Sequence, residues 1–362
     1  MSVVSLITQN FRNLSGKKIV FHPDLNFIVG DNGSGKSSLL EALFYLGHGK
    51  SFRTTKTESL VSFNHEQFVA NITDSQDRRM GISRNVVTSQ TEIKVDGERQ
   101  SRLSDLAKNI AVQIVTPESF KLFFGGPKER RRFIDLGLFH VKHDFAKQWR
   151  DFSKVLKQRN AGIRSLMEPG LRRYWTELFC QHSILVAQSR QEYINEFVEE
   201  LNIWLGLLLP SIAGEITLQY SRGWSKKREL MEVLNENEDK ELKYGSSLYG
   251  AHKFDVKFLL HKHPIDFQLS RGQQKLFLLA LTFAQAKLIE KVKRVKPILL
   301  IDDIGAELDT ASRALVSGAI KELNCQVILT AIDKLVLAPL VPSNESYQMF
   351  HVEHGEISAI SE

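Results

Sequence analysis

Short apolar runs alternate with polar turns and one amphipathic helix over about the first 115 residues. The apolar, β-prone runs predict strands at 3–8, 17–21, 26–30, 67–73, 91–98 and 112–119. The periodicity of residues 37–47 predicts a helix, and the last hundred residues alternate between strand and helix again. Such alternation is typical of proteins with a parallel sheet flanked by helices. We therefore expect an α/β fold class.

The middle of the chain, from about residue 127 to 205, has a helical periodicity instead. A stripe with 4-3-4 spacing lies on one predicted helix face, at Phe145, Trp149, Phe152 and Leu156. The Pro-Gly pair at 169–170 separates this helix from a second one. Two helices around such a break predict an inserted antiparallel arm, although an ordinary helical subdomain would have the same pattern. We expect three segments, which are an α/β part at 1–120, a basic helical arm at 121–210 and a second α/β part at 211–362.

Composition adds little until the charges are located. The net charge is +6 and the pI is about 9.1, but residues 121–173 contain 14 Lys/Arg against 5 Asp/Glu. A basic segment of this kind is either a solvated helix face or a surface that contacts nucleic-acid phosphates. The candidate phosphate contacts are Lys128, Arg130, Arg131, Arg132, Arg150, Lys154, Lys157 and Arg159, with Lys50 and Arg53 after the first helix.

The sequence also disfavours a membrane protein and a protein with a cysteine-based metal site. The sequence lacks an apolar stretch of about 20 residues, so we expect no membrane partner and no membrane span. Its two cysteines, Cys180 and Cys325, lie far apart and form no metal-binding pair. This usage fits a reducing compartment, and we expect a cytoplasmic location.

The segment GDNGSGKS at 30–37 matches the phosphate-binding P-loop at every fixed position. It follows an apolar strand and opens a helix, so bound phosphates would lie at a helix N-terminus. Lys36 is placed to reach the β/γ-phosphates, and the Ser37 hydroxyl is placed to bind Mg²⁺. A plain Gly/Ser turn is the alternative. The residues expected around the nucleotide are Gly30, Asp31, Asn32, Gly33, Ser34, Gly35, Lys36, Ser37 and Ser38.

Two acids end a wholly apolar run near the C-terminus. Ile298 to Ile301 predict a buried strand that delivers Asp302 and Asp303 at its carboxyl end. In a P-loop enzyme the first acid binds Mg²⁺, and a second acid orients or deprotonates the attacking water. A solvated turn is the alternative, but the presence of the P-loop favours the metal and catalytic roles.

A third segment, LSRGQQK at 269–275, begins another amphipathic helix. Ser270 could be a simple helix N-cap. It lies 32 residues before Asp302, however, and follows the P-loop by over 230 residues. The order of these motifs resembles that of the ABC-type ATPases, in which a P-loop is followed by a Ser-x-Gly-Gln segment and then by an apolar strand that ends in acids. In that family the segment caps the γ-phosphate that a partner subunit holds, so nucleotide would lie between two subunits.

The long separation of the motifs is similar to the SMC/Rad50-like branch, and further segments narrow the resemblance. The chain resembles the RecF family of bacterial recombination-repair ATPases over essentially its whole length. The segments that carry this resemblance are residues 10–13, 47–54, 125–135 and 249–255. This resemblance implies ATP and Mg²⁺ as cofactors, with Ser37 and Asp302 on the metal and Asp303 as the catalytic carboxylate beside Lys36. It also implies a signature segment acting in trans at Ser270, Arg271, Gly272 and Gln273. Further implied residues are Arg12 and Asn13 at ATP, Gln113 as the Q-loop glutamine, and Glu307, Leu308 and Asp309 as the D-loop.

The same resemblance implies a function. An ATP-driven homodimer would bind single-stranded, gapped or junction DNA, hydrolyse ATP slowly, and help RecR, with RecO, to load RecA during gap repair and SOS induction. Lys50, Ala251 and Lys253 stand where we expect Arg, Pro and Arg, and no histidine follows the strand at 327–330. A charge is retained at Lys50 and Lys253 without the bidentate geometry of Arg. The missing histidine affects efficient hydrolysis more than binding. The competing interpretations are an ATPase subunit of a membrane transporter, a lone P-loop kinase and a non-hydrolysing clamp.

Overall fold

The computed structural model describes residues 2–107, 109–292, 296–305, 307–341 and 346–360. Its strands are β1 (Val3–Gln9), β2 (Ile19–Val20), β3 (Leu25–Val29), β4 (Gln67–Asp74), β5 (Arg79–Asn85), β6 (Thr91–Val95), β7 (Glu98–Gln100), β8 (Val112–Val115), β9 (Ile216–Ser221), β10 (Asp255–Leu260), β11 (His263–Pro264), β12 (Ile298–Ile301), β13 (Gln326–Ala331), β14 (Gln348–Glu353) and β15 (Glu356–Ile360). Its helices are α1 (Lys36–His48), α2 (Leu103–Ala107), α3 (Lys121–Phe124), α4 (Pro127–Val141), α5 (Phe145–Arg164), α6 (Pro169–Leu208), α7 (Leu230–Glu236), α8 (Glu238–Tyr244), α9 (Arg271–Lys291), α10 (Thr310–Lys321) and α11 (Lys334–Leu337).

The chain folds into two units, and the first contains two sheets. This unit consists of Met1–Phe120, Ile203–Ser211 and Leu269–Glu362. One sheet is antiparallel, in the order β2-β1-β4-β5-β6-β7. The other has the order β15-β14-β3-β13-β12-β8, in which every pairing is parallel except that between β14 and β15. The α/β fold predicted from the sequence is confirmed.

Helix α1 forms much of the core of this unit. Leu40 and Leu43 of α1 are buried in one hydrophobic cluster with Ile28 of the parallel sheet and Ile72 of the antiparallel sheet. Strands β3, β12 and β13 are buried at every residue, as expected for parallel strands that are covered on both faces. The carboxyl ends of these strands therefore have fixed positions, and the predicted site residues follow directly after them.

The second unit contains most of the predicted helical insertion. It consists of Lys121–Asn202 and Ile212–Gln268, with a small antiparallel sheet in the order β11-β10-β9. Helix α5 runs antiparallel to α6, because Gln148 bonds Ser189 whereas Arg159, further along α5, bonds Thr176, earlier in α6. The pair of antiparallel helices predicted around residue 169 is present.

This second unit differs in extent from the predicted arm at 121–210. It also includes Ile212–Gln268, whereas Ile203–Ser211 belongs to the first unit. The reason is that charged side chains of the helices form ion pairs with residues of the segment 212–268. Arg130 pairs with Asp255, and Arg159 pairs with Glu241. The sequence periodicity of the helices does not contain this information about distant partners.

Candidate nucleotide-binding site

The P-loop connects the end of β3 to the start of α1, and its glycines have positive φ angles, with close packing as a further constraint at Gly30. A Cβ at Gly30, which has φ of 157°, would lie 2.3 Å from the Val352 carbonyl oxygen. Gly35, with φ of 126°, is the N-cap of α1 and provides no side chain to cap its first amides. Amides at a helix N-terminus that lack a side-chain acceptor are suited to bind an anion.

The Lys36 ammonium lies inside this loop. Its Nζ donates to the Gly30 carbonyl at 2.6 Å and to the Asp31 carbonyl at 2.9 Å. Burial lowers the pKa of Lys36, and the carboxylates of Asp302, Asp303 and Asp31 oppose that effect. Together with the two glycines, this cation makes the loop suited to phosphate groups.

Other loop residues fit the same ligand. Ser34 Oγ is buried and has no hydrogen-bond partner among the described residues, so its hydroxyl could donate to an anionic oxygen of a bound ligand. Asp31, Asn32 and Gly33 are exposed at the tip of the loop. The Ser38 hydroxyl donates to Asn13 Oδ1 at 2.9 Å. The loop therefore has an unpaired polar atom inside and an exposed tip outside.

The P-loop meets the acidic strand end directly. Ser37 Oγ donates to the Asp302 carboxylate at 3.0 and 3.2 Å, although the two residues are 265 positions apart. A hydroxyl and a carboxylate are hard oxygen ligands that suit Mg²⁺, which keeps several waters and takes phosphate oxygens as well. No group of three or more His, Cys, Asp or Glu side chains in the described ranges could hold a metal by itself. The pair therefore fits a metal that arrives with nucleotide.

Thr330, at the end of β13, was missed by the sequence reasoning. Its hydroxyl donates to Asp302 Oδ1 at 2.7 Å and accepts the backbone N–H of Asp303 at 2.8 Å. Asp303 has φ of 52°, a conformation rarely adopted by residues other than glycine. A hydroxyl at the carboxyl end of the strand beside the acidic strand was the available signal.

The predicted signature segment forms the first turn of α9. Ser270 is the N-cap, because its Oγ accepts from Gln273 N at 3.3 Å while Gln273 Oε1 accepts from Ser270 N at 3.0 Å. The Arg271 guanidinium lies 5.7 Å from the centre of the Phe120 ring. The capping interpretation is confirmed, and the action of Ser270 on a partner's nucleotide stays a prediction.

The predicted D-loop packs against this turn. A Cβ at Gly272 would lie 2.9 Å from the Glu307 carbonyl oxygen. Leu308 is buried, and Asp309 is the N-cap of α10, accepting from Ser312 N at 2.7 Å. Asp309 therefore has a local capping role within its own subunit.

Of the residues that the resemblance implied, Arg12 is engaged by other residues and Gln113 lies inside a strand. Arg12 makes a bidentate pair with Glu41 of α1, at 2.8 Å for both bonds, and donates to the Ser59 carbonyl at 2.6 Å. Gln113 lies within β8, opposite Leu299, rather than at the strand end, and its buried Nε2 has no partner among the described residues. By contrast, Asn13 does contact the P-loop, since its Nδ2 donates to the Ser34 carbonyl at 3.3 Å.

The predicted basic contacts divide into internal and exposed residues. Arg130 pairs with Asp255 at 2.9 Å, Arg131 donates to the Phe254 carbonyl at 3.0 Å, and Arg159 is 4% exposed and paired with Glu241. These three cations are engaged by partners within the protein, and a role for them at DNA stays a prediction. The predicted residues that remain exposed are Lys50, Arg53, Lys128, Arg132, Arg150, Lys154 and Lys157.

Three of the exposed cations share one face of α5. Arg150, Lys154 and Lys157 follow the i, i+4, i+7 spacing, and the exposed Lys147 extends the same row. The opposite face of α5 is buried, at Phe152 among other residues. We call Lys147, Arg150, Lys154 and Lys157 the α5 basic stripe.

Three features of this unit together define an ABC-type ATPase head. They are a P-loop, a strand two places away in the same sheet that ends in two acids, and a helix that is capped by the Ser-Arg-Gly-Gln segment. Residues 2–358 match the family described as the RecF/RecN/SMC N terminal domain, and the chain belongs to this family. None of the described helices is long and apolar enough to cross a membrane.

Curated relatives match over the whole chain. The chain is 60% identical over 371 aligned positions to the DNA replication and repair protein RecF of Colwellia psychrerythraea, covering 100% of this chain and 98% of that relative. It is 37% identical over 363 positions to the protein of the same name from Pseudoalteromonas translucida, covering 99% of each. The resemblance to RecF that the sequence suggested is confirmed.

Solved structures share the fold. A structure of the recombination mediator protein RecF-ATPrS in the RecFOR pathway matches with a TM-score of 0.85 at 24% identity, covering 99% of this chain and 98% of the other. A crystal structure of an SmcHead bound to the C-winged helix domain of ScpA matches with a TM-score of 0.58 at 17% identity, covering 100% and 98%.

Proposed function

We propose that this protein is a slow ATPase of recombinational DNA repair whose ATP-bound dimer holds DNA. The observation that supports it most directly is the hydrogen bond from Ser37 to Asp302, which joins the P-loop to the acidic strand end. Such a junction is what a Mg²⁺-nucleotide site requires. The RecF relatives are named for DNA replication and repair, which supports the biological role.

In the proposed site, Lys36 and the α1 amides bind the phosphates, and Ser37 and Asp302 hold Mg²⁺. The metal would neutralise phosphate charge. Asp303, one residue beyond Asp302, would orient the attacking water. Turnover would be slow, because the residue after Thr330 is Ala331, so the switch histidine expected of a transporter ATPase is missing at that position.

The second half of each site comes from a second copy of the chain. Ser270 and Arg271 are exposed at the N-terminus of α9, where they are accessible to another subunit. Two copies would form an isologous pair around two ATP molecules, each held by one P-loop and the partner's Ser270 segment. ATP would then control assembly, and hydrolysis would reverse it.

DNA would be held through its phosphates by the α5 basic stripe. Four cations on one helix face bind phosphate without reading sequence, so the binding should weaken steeply with salt. We propose gapped or junction DNA as the target, with RecR and RecO as partners for RecA loading and SOS induction in the cytoplasm. The RecFOR pathway named for a structural relative supports these partners.

Sedimentation of the full chain with a non-hydrolysable ATP analogue, with and without gapped DNA, tests the proposal. We expect a monomer-to-dimer shift with the analogue and co-migration of the dimer with DNA that is lost at high salt. Ser270→Arg should abolish the shift but keep ATP binding. A monomer that ignores both nucleotide and DNA contradicts the proposal. ATP-dependent dimers without affinity for DNA would instead favour an ATPase subunit of a transporter.

A further inference from the structure

Lys275 is a buried cation that the predicted ATP chemistry does not use. It lies in α9, one turn after Gly272, and is 4% exposed. Its Nζ donates to the backbone carbonyl of Asp303 at 2.5 Å. Burial lowers the pKa of Lys275, while the negative charges of Asp303, Glu307 and Asp302 raise it. An ammonium in such a place is retained against a desolvation penalty, which suggests a specific role.

The bond from Lys275 contributes to an unusual backbone conformation at Asp303. Asp303 has φ of 52°, a backbone angle that is strained for residues other than glycine. Such a conformation persists only where the surrounding contacts enforce it. Its N–H is bonded to the Thr330 hydroxyl of β13, and its carbonyl is bonded to Lys275 of α9. The backbone of Asp303 is therefore held by α9 on one side and by the sheet on the other.

Helix α9 also contacts Glu307. Gly272 approaches the Glu307 carbonyl so closely that a Cβ would lie 2.9 Å from the oxygen, and Glu307 has φ of 69°. The first two turns of α9 thus touch two residues in left-handed conformations that follow β12. A displacement of the α9 N-terminus would be transmitted to both.

We propose that Lys275 couples the two ATP sites of the dimer. This inference rests on the proposed function, in which Ser270 contacts the nucleotide held by the partner subunit. The same helix holds Asp303 of its own subunit through Lys275. Engagement of the partner's γ-phosphate by the α9 N-terminus thereby sets the backbone of Asp303, so each site is aligned for hydrolysis only when the other is filled. Lys275 is a positioning residue in this scheme.

The variant Lys275→Met tests the coupling, because it keeps an unbranched side chain of similar volume and removes the charge and the donor. The matched control is Lys287→Met on the same helix, where Lys287 pairs with Glu290 at 2.8 Å near the surface. Binding of a fluorescent ATP analogue to the monomer should stay within about twofold for both variants, since the P-loop is untouched. Steady-state turnover is then measured against ATP concentration.

Wild type and Lys287→Met should show cooperative turnover, with a Hill coefficient that approaches the limit of about 2 for two sites. Lys275→Met should lower it to about 1 and reduce maximal turnover about tenfold or more, with little change in monomer affinity. A Lys275→Met enzyme with unchanged cooperativity overturns the proposal, as does a wild-type dimer without cooperativity. Failure of the wild type to dimerise with ATP contradicts the proposed function instead.

A second measurement keeps the inference testable if Lys275→Met does not fold. In mixed dimers, an isotope-labelled Lys36→Ala subunit binds no ATP and senses nucleotide only through its own Ser270 segment. Hydrogen exchange of the Asp303 amide in that subunit should slow when the wild-type partner binds a non-hydrolysable analogue. Unchanged exchange contradicts the coupling.

Discussion

The Thr330 hydroxyl donates a 2.7 Å hydrogen bond to Asp302, and the same oxygen accepts the N–H of Asp303. Strands β12 and β13 are parallel neighbours with Ile301 opposite Leu329, which brings Thr330 next to the two acids. One fully buried hydroxyl thus orients the candidate metal ligand and the candidate catalytic residue together.

Replacing this hydroxyl should impair metal use. Thr330→Val keeps the shape of the side chain but leaves Asp302 with Ser37 as its remaining side-chain donor and removes the acceptor of the Asp303 N–H. We expect a stability loss of about 1–3 kcal/mol and a higher Mg²⁺ concentration for half-maximal ATP turnover. Thr330→Ser retains the hydroxyl and is the control. Equal Mg²⁺ dependence of Thr330→Val and wild type, in a titration of turnover, would show that the hydroxyl does not organise the metal site.

The turn between β14 and β15 packs against the P-loop through Gly355. Its N–H donates to the Ser34 carbonyl at 2.7 Å, and a Cβ there would lie 1.6 Å from the Asn13 carbonyl oxygen. Gly97, in the turn between β6 and β7, has nearly the same φ, 85° against 83°, and has no atom within 4 Å of such a Cβ among the described residues. Substitutions at these two glycines therefore distinguish the effect of backbone strain from the effect of steric crowding.

Gly355→Ala should weaken nucleotide binding, whereas Gly97→Ala should not. Both changes place alanine at positive φ, which costs about 1 kcal/mol of stability. Only the first displaces Asn13 and, through Ser34, the P-loop, so we expect a loss of ATP affinity of about tenfold or more, or about 1.4 kcal/mol. Thermal unfolding and titration with a fluorescent ATP analogue measure the two effects. Equal affinities for the two variants would exclude this turn from the site.

The Arg159–Glu241 pair should be a major source of stability in the second unit. Both side chains are at most 4% exposed, their distance is 2.6 Å, and Arg159 also donates to Thr176 and Ser247. Glu241→Gln keeps the size of the side chain but leaves the Arg159 charge uncompensated, which costs about 3–5 kcal/mol. Glu177→Gln removes the partner of the exposed Arg173 and should change stability by less than about 1 kcal/mol. Urea unfolding of both variants measures the difference, and similar losses would contradict the assignment.

The local parts of the site were predictable, because each motif is contained in a continuous segment. The strand ending at Ile301 and the helix starting near Ser37 follow from apolar periodicity and glycine placement. Strand β5 was not predicted, since in RMGISRN only Met80 and Ile82 follow the apolar alternation. Even so, the two sequence segments that form the candidate metal site could be named before their contact was known.

Side-chain pairing over long separations was not predictable. Arg12 and Arg159 look like free cations in the sequence, yet their carboxylate partners lie 29 and 82 residues away. A charge count treats every such residue as exposed, so it overstated the basic surface. Lys147 was overlooked as a candidate contact, because its place in the same row as Arg150 and Lys154 is evident from the geometry of helix α5.

Acid should destabilise the fold partly through His252. Its Nε2 lies 3.0 Å from the Ser247 carbonyl, and its ring centre is 5.9 Å from that of Phe179. Nδ1 is buried without a partner among the described residues, so a second proton would be poorly accommodated there. Burial, with nearby positive charges adding to its effect, lowers the pKa of His252 from 6.5 to about 4.

The free energy of unfolding should therefore fall as the pH is lowered from about 6.5 to 4, because in this window the unfolded chain takes up a proton that folded His252 refuses. Below this range both states are protonated and the loss stops growing. Burial also lowers the pKa of His140 to about 4, so the two histidines share the effect. His252→Gln, which keeps an N–H for the Ser247 carbonyl, should reduce the loss by about 1–3 kcal/mol. His261→Gln, at an exposed position, is the control, and urea unfolding at pH 7 and pH 4.5 measures all three proteins; equal slopes for His252→Gln and wild type would contradict the buried neutral state.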